Sequence, residues 1–250
     1  MKISILLVFI LLPQFLFSQN FYISAGGAYN LPVIKAKFDT ENSVSNNSVK
    51  NVKGSMGKGY TGHLKAGYIF KNRLIAELQL SQLHSTEKYY NETKASMTRI
   101  IPTIKMAMGN KLQFIIGVGG VIGFKPSIEF ENVYYMSPID YYISKEKYTE
   151  GNSYGFYSEF CANYYINPKF SVGLDFNCII QNWAPEKGVK EVEVSGRGAW
   201  VAPRPGTYEY SDEITIEPYQ LLKFYLPFNS AGFGINLSYH FVKNNKSENK

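Results

Sequence analysis

Hydrophobic and polar residues alternate along most of this chain. From Tyr60 to Phe70, the even-numbered positions are apolar or small and the odd-numbered positions are mostly polar. Successive side chains of an extended chain point to opposite faces, so this pattern predicts a β-strand with one apolar and one polar face. The alternation resumes at Leu74, after residues 71–73, with the even positions again apolar. A three-residue connection between two such segments predicts a β-hairpin.

The same pattern repeats until it gives eight strands. Two further hairpins turn at residues 109–111 and 167–169. The predicted strands are residues 21–29, 60–70, 74–81, 99–108, 112–122, 154–166, 170–180 and 231–241. Three short turns alternate with four long connections, at about residues 30–58, 85–96, 125–152 and 182–227. This asymmetry predicts an all-β, eight-stranded antiparallel up-and-down transmembrane barrel, with short periplasmic turns and long extracellular loops.

The apolar face is predicted to point outward, into a bilayer. The interior of an eight-stranded barrel is only just wide enough for its side chains, yet the apolar face carries many large aromatic residues. Those near the short turns are Phe21, Tyr68, Phe70, Tyr164, Phe170, Tyr239 and Phe241, and those near the long loops are Tyr29, Tyr60, Phe124, Tyr154 and Phe228. Two aromatic girdles around an aliphatic belt are typical of membrane barrels. A soluble, lipocalin-like secreted carrier has the same alternation with its apolar face inward, and is an alternative.

Charged residues of both signs lie on the polar face. The predicted polar network of the lumen consists of Lys65, Glu77, Arg99, Lys105, Glu159 and Asp175. Eight strands leave too little bore for a water-filled channel once these side chains fill it. The architecture is therefore porin-like, but the lumen is predicted to be plugged.

Composition excludes several other classes of protein. The chain is 45% hydrophobic and 16% aromatic, which excludes a disordered protein. The net charge of +6 is scattered along the chain, so a nucleic-acid partner is not expected. The sequence has no metal-binding motif, and we expect neither a metal nor another cofactor. Of its two cysteines, Cys161 lies on the polar face of one predicted strand and Cys178 on the apolar face of the next. Because they point to opposite faces, a disulfide between them is not expected.

The first residues are typical of an export signal. Met1-Lys2 precedes an apolar run that ends at Phe17, and Ser18 offers a small residue for cleavage. We therefore expect a signal peptide over residues 1–18, a barrel over residues 19–241 and a polar tail over residues 242–250.

The last predicted strand carries a resemblance to a known family. Residues 234–241, Gly-Ile-Asn-Leu-Ser-Tyr-His-Phe, are similar to the C-terminal insertion signal of small outer-membrane barrels of the OmpA/OmpX type. The resemblance covers residues 19–241. It implies insertion from the periplasm by the barrel-assembly machinery, among the lipids of the outer membrane of a Gram-negative bacterium. It implies no particular activity, because function in such folds resides in the loops.

The long loops hold the predicted binding residues. Tyr, Trp and Arg are favoured interface anchors, and these loops contain Tyr141, Tyr142, Trp183, Trp200 and Arg204. An alternative is that these aromatic residues pack extended strands together. Residues 189–194 and 199–201 are predicted to form a hairpin above the membrane. The leading hypothesis is a non-enzymatic barrel with a structural or adhesion-like role and an extracellular ligand or surface partner.

A second hypothesis is a lipid-modifying enzyme of the outer membrane. If Phe70 pairs with Leu74, then His63 on one strand lies opposite Ser81 on the next. A His–Ser pair near the outer rim could activate a nucleophile. The sequence places no third, orienting acid beside the pair, so a hydrogen bond within the lumen is the alternative.

Overall fold

A computed structural model describes residues 20–33, 35–43, 48–70, 73–86, 92–135, 140–195, 205–211, 220–222 and 224–241. The predicted signal peptide and C-terminal tail lie outside the described residues. The strands are β1 (Phe21–Leu31), β2 (Ala36–Ser43), β3 (Ser48–Gly54), β4 (Gly59–Ile69), β5 (Leu74–Ser85), β6 (Glu92–Gly109), β7 (Leu112–Tyr135), β8 (Tyr141–Thr149), β9 (Ser153–Asn167), β10 (Phe170–Trp183), β11 (Lys187–Ser195), β12 (Gly206–Ser211), β13 (Gln220–Leu222), β14 (Leu226–Pro227) and β15 (Ser230–His240). Among these residues, no helix is long and apolar enough to span a membrane.

Eight of the strands close into a barrel. In order around the barrel they are β1, β4, β5, β6, β7, β9, β10 and β15, and β15 pairs with β1. Every pairing in this cycle is antiparallel. The predicted fold is therefore confirmed. The predicted register is also correct at the pair that tests it, because His63 lies opposite Ser81.

Short turns connect the strands at one end, which we call the turn end. The Phe70 amide donates to the Leu74 carbonyl across the first turn, at 2.7 Å. Gly109 begins the second with a φ of 100°, a conformation that glycine adopts at little cost. In the third, Asn167 Oδ1 accepts hydrogen bonds from the amides of Lys169 and Phe170, at 2.8 and 3.0 Å.

The connections at the other end, the loop end, contain more strand than the sequence indicates. β2 and β3 form a hairpin between β1 and β4. β7 continues well past its predicted end, and β8 pairs with this extension. β11 adds to β8, and its antiparallel partner on the other side is β12. The predicted partner of β11 was residues 199–201, which lie outside the described residues.

The barrel is apolar outside and charged inside. Leu64, Leu78 and Ile235 are 60%, 53% and 57% exposed, whereas Lys65 and Glu77 are 5% and 6% exposed. Aromatic rings contact one another at both rims, with Phe170 and Tyr239 5.1 Å apart at the turn end and Tyr29 and Tyr60 5.1 Å apart at the loop end. The lumen also holds apolar layers, which the alternation did not lead us to expect. One comprises Ile101, Val121, Tyr157 and Ile179 and another comprises Tyr22, Ile75, Ala107, Ile115 and Cys161.

The outward face of β7 changes character at Lys125. Up to Phe124 the even-numbered residues point outward and are mostly large and apolar. Lys125 has a φ of 47°, and the register with β6 shifts beside it. An extra residue in one strand reverses its side-chain parity, so Ile128 and Phe130 point inward beyond this point while Glu129 lies on the outer face.

Candidate functional site

Five of the six predicted lumen charges form one ion-pair network. Lys65 Nζ lies 2.8 Å from Glu159 Oε1 and 3.0 Å from Asp175 Oδ2. Lys105 Nζ lies 2.5 Å from Glu159 Oε2 and 2.7 Å from Glu77 Oε1. Because each oxygen of Glu159 contacts a different lysine, Glu159 joins the two halves of the network.

Neutral side chains hold the carboxylates in place. The hydroxyl groups of Tyr22 and Tyr157 donate to Glu77 and to Glu159, the latter at 2.9 Å. Asn236 Nδ2 donates to Oδ1 of Asp175, the oxygen that does not face Lys65, at 2.6 Å. Only a cavity of about 20 Å³ lies among these residues, close to the space that one water molecule needs. The geometry is that of a plug.

Arg99, the sixth charge of the predicted network, lies apart from the other five and makes no ion pair with them. Its Nε donates to Gln181 Oε1 at 2.8 Å, and its Nη2 donates to the carbonyl of Phe228 at 3.3 Å. The side chain is fully buried. The alternation pattern correctly predicted that Arg99 points into the lumen. It could not predict how far along the barrel axis the long side chain reaches.

Above Arg99, the loop end of the lumen is closed by an apolar cluster, which we call the cap. It consists of Met56, Leu83, Ala95, Met97, Ile128, Phe130, Trp183, Leu226 and Phe228. Trp183, one of the predicted loop binding residues, lies within this cluster, as in the alternative that the loop aromatics pack strands together. The indole is fully buried, packs against Phe228 and donates from Nε1 to the Glu150 carbonyl at 2.8 Å. Phe228, predicted in the outer aromatic girdle, is likewise fully buried.

His63 and Ser81 lie opposite each other, but deep in the lumen. They are 7% and 2% exposed. Asp175 Oδ2 is 3.8 Å from His63 Nε2, too far for a hydrogen bond. Glu159, Cys161 and Asp175 also bring three potential metal-ligand atoms within 4.8 Å of one another, although Lys65 already contacts both carboxylates.

At the loop end, residues 127–135 of β7 pair with β8, and β8 pairs with β11. We call these three segments the projecting sheet. Its ion pairs include Lys147 with Glu129 at 2.5 Å and Lys145 with Glu193 at 2.8 Å. The hydrogen bond from Lys145 to Glu193 raises the pKa of the lysine ammonium above its ordinary value. A groove of about 340 Å³ lies on this sheet, and its lining is mostly Lys and Glu side chains.

Tyrosines occupy the tip of the projecting sheet. The rings of Tyr134 and Tyr142 stack with centroids 4.7 Å apart, and those of Tyr135 and Tyr141 lie 5.8 Å apart. Tyr141 and Tyr142, both predicted as binding residues, are half-buried by this packing. Tyr135, which lies in the same predicted loop, is 71% exposed. The other two predicted loop residues, Trp200 and Arg204, lie outside the described residues.

Comparisons with known proteins give partial likenesses only. No family model matches the chain, and no curated protein matches it. A crystal structure of neisserial surface protein A (NspA) aligns with 90% of this chain and 98% of its own at 11% identity and a TM-score of 0.47. The solid-state NMR structure of the outer membrane protein AlkL in lipid bilayers aligns with 93% of this chain and 95% of its own, at 10% identity and a TM-score of 0.42. A crystal structure of a Pseudomonas aeruginosa FadL homologue aligns with 91% of this chain and 92% of its own, at 7% identity and a TM-score of 0.25. The fold assignment therefore rests on the closed antiparallel register.

Proposed function

We propose that this protein is an integral barrel of a Gram-negative outer membrane, with a plugged lumen and a projecting sheet that binds a partner at the cell surface. The observation that carries the proposal is the arrangement of the barrel wall. Large apolar side chains cover its outside, while the lysines and carboxylates pair within. In water this arrangement would expose a broad apolar surface, whereas in a bilayer it places apolar groups against lipid.

The surface-binding role is supported by the projecting sheet. Its charged groove and exposed Tyr135 extend beyond the belt, where they would meet the outside of the cell. Tyrosine offers a large, rigid contact area at low cost in conformational entropy, which suits a binding surface. Among the described residues, the network encloses a cavity of about 20 Å³ and the cap side chains are buried, which favours a structural or adhesive role over transport. We propose insertion by the barrel-assembly machinery, with β15 as the strand that it recognises.

Fractionation combined with surface proteolysis tests the location. We expect the protein to leave the outer membrane only with detergent. Trypsin added to intact cells should cut the projecting sheet after residues such as Lys147 and leave the barrel strands whole. Release by osmotic shock without detergent would instead support the secreted carrier.

Attachment of cells tests the binding role. Cells that display the Tyr134→Ser, Tyr135→Ser double variant should adhere less well to a surface that retains cells with the unchanged protein. The matched control is Tyr154→Ser, a tyrosine that is 65% exposed but lies on the barrel wall. Equal adhesion by all three proteins would contradict a binding role for the tyrosine tip.

A further inference from the structure

Arg99 is a fully buried cation with an unused donor. Its Nε and Nη2 donate to Gln181 and Phe228, but its Nη1 has no hydrogen-bond partner among the described residues. No carboxylate of those residues lies within 4.0 Å of the guanidinium group. A buried charge without a counter-charge is strongly destabilising, so this site favours a negatively charged neighbour.

Two more unused polar groups lie beside Arg99. Ser81 is directly across from it on β5, and its buried Oγ has no partner among the described residues. Gln181 accepts from Arg99 through Oε1, which leaves its buried Nε2 without a described partner. Guanidinium and amide nitrogens can only donate hydrogen bonds, so whatever satisfies them must be an acceptor.

The surroundings separate this layer from solvent and from the ion-pair network. Two residues nearer the loop end, the same three strands carry residues of the cap, namely Leu83, Met97 and Trp183. On the other side, His63 lies across from Ser81, and its Nε2 is 3.8 Å from Asp175 Oδ2. The carboxylates of the network are already bound by lysines.

The lumen also limits the size of an occupant. On β7, the residue that pairs with Arg99 is Gly123, which has no side chain. A Cβ there would lie 2.7 Å from Gln181 Nε2. We propose that the lumen binds one small inorganic anion of the size of chloride, held by Arg99 Nη1, Ser81 Oγ and Gln181 Nε2. Such an anion would lock β5, β6 and β10 together beneath the cap.

Bromide, which scatters X-rays anomalously, tests the site directly. Crystals of the full chain grown in detergent with sodium bromide should show an anomalous peak within hydrogen-bonding distance of Arg99 Nη1. Absence of a peak at this position, with ordinary water density in its place, would overturn the proposal.

Thermal unfolding in micelles gives an independent readout. A ligand that binds only the folded state stabilises it increasingly with concentration, so the midpoint should rise with sodium chloride relative to sodium gluconate at equal ionic strength. The rise should vanish in Arg99→Met and shrink in Ser81→Ala, which keeps the test usable if the arginine variant does not fold. The control Lys147→Met removes an exposed cation and should keep the full chloride effect. Equal midpoints in the two salts, or an equal chloride effect in Ser81→Ala and Lys147→Met, would contradict the site.

Discussion

Glu159 is the carboxylate of the lumen network that contacts both lysines. The Glu159→Gln substitution keeps the shape of the side chain but leaves two buried ammonium groups short of negative charge. Removing one partner of a buried ion pair costs about 3–5 kcal/mol, and we expect a loss of that order in the free energy of unfolding. Urea unfolding in detergent micelles measures it.

The projecting sheet supplies the matched control for Glu159. Glu129 also pairs with a lysine, at the same 2.5 Å, but both side chains are about half exposed. Exposed pairs contribute little, so Glu129→Gln should leave the unfolding curve unchanged. Equal losses for the two substitutions would show that the lumen network is not desolvated as described.

Trp183 allows a spectroscopic test of the cap. The chain has two tryptophans, so the Trp200→Phe variant leaves Trp183 alone. Because Trp183 is fully buried, its fluorescence should be blue-shifted and resistant to quenching by acrylamide in the aqueous phase. Strong quenching would contradict its place in the cap and restore it as an exposed loop residue.

At this scale, parity predicted which side chains enter the lumen but not what they contact. Lys65, Glu77, Lys105, Glu159 and Asp175 were grouped correctly because all five lie on the inward parity. Trp183 and Phe228 have inward parity too, on β10 and on the continuation of β15. Trp183 was assigned to a loop and Phe228 to the aromatic girdle. To predict that these side chains are buried, one must know where each strand ends.

Among the elements, β7 shows most clearly where the two-residue alternation stops predicting the structure. The sequence predicted it to end near residue 122, whereas the strand runs to Tyr135. Lys125 inserts one residue and reverses the parity, so a constant period of two fails there. Beyond this point cross-strand contacts with β8, rather than the apolar belt, hold the strand. Those contacts are with residues distant in sequence, and a single-sequence pattern does not show them.

The change at Lys125 predicts where the membrane ends along β7. In a background with Cys161→Ser and Cys178→Ser, the Glu131→Cys variant should react with a membrane-impermeant maleimide on intact cells. Ile116→Cys, on the outward face of the belt, should not react until the membrane is dissolved and the protein unfolded. Reaction of both variants on intact cells would contradict the boundary.

For the whole molecule, the eight-strand count, the register and the outward direction of the apolar face all followed from the sequence. These properties share one physical cause, because every strand repeats the same two-residue period and closure leaves no unpaired edge. The projecting sheet and the apolar layers of the lumen did not follow, since both depend on which residues distant in sequence come together.

The central claim is that the apolar wall faces lipid, and a nitroxide on Leu78 tests it most directly. Leu78→Cys is spin-labelled in a chain with Cys161→Ser and Cys178→Ser, folded into lipid vesicles. Relaxation of the label by lipid-soluble oxygen is compared with relaxation by a water-soluble nickel chelate. We predict strong relaxation by oxygen and almost none by the chelate, as for a site near the middle of the bilayer. Strong relaxation by the chelate, or protection from both reagents as in a packed interior, would contradict the account.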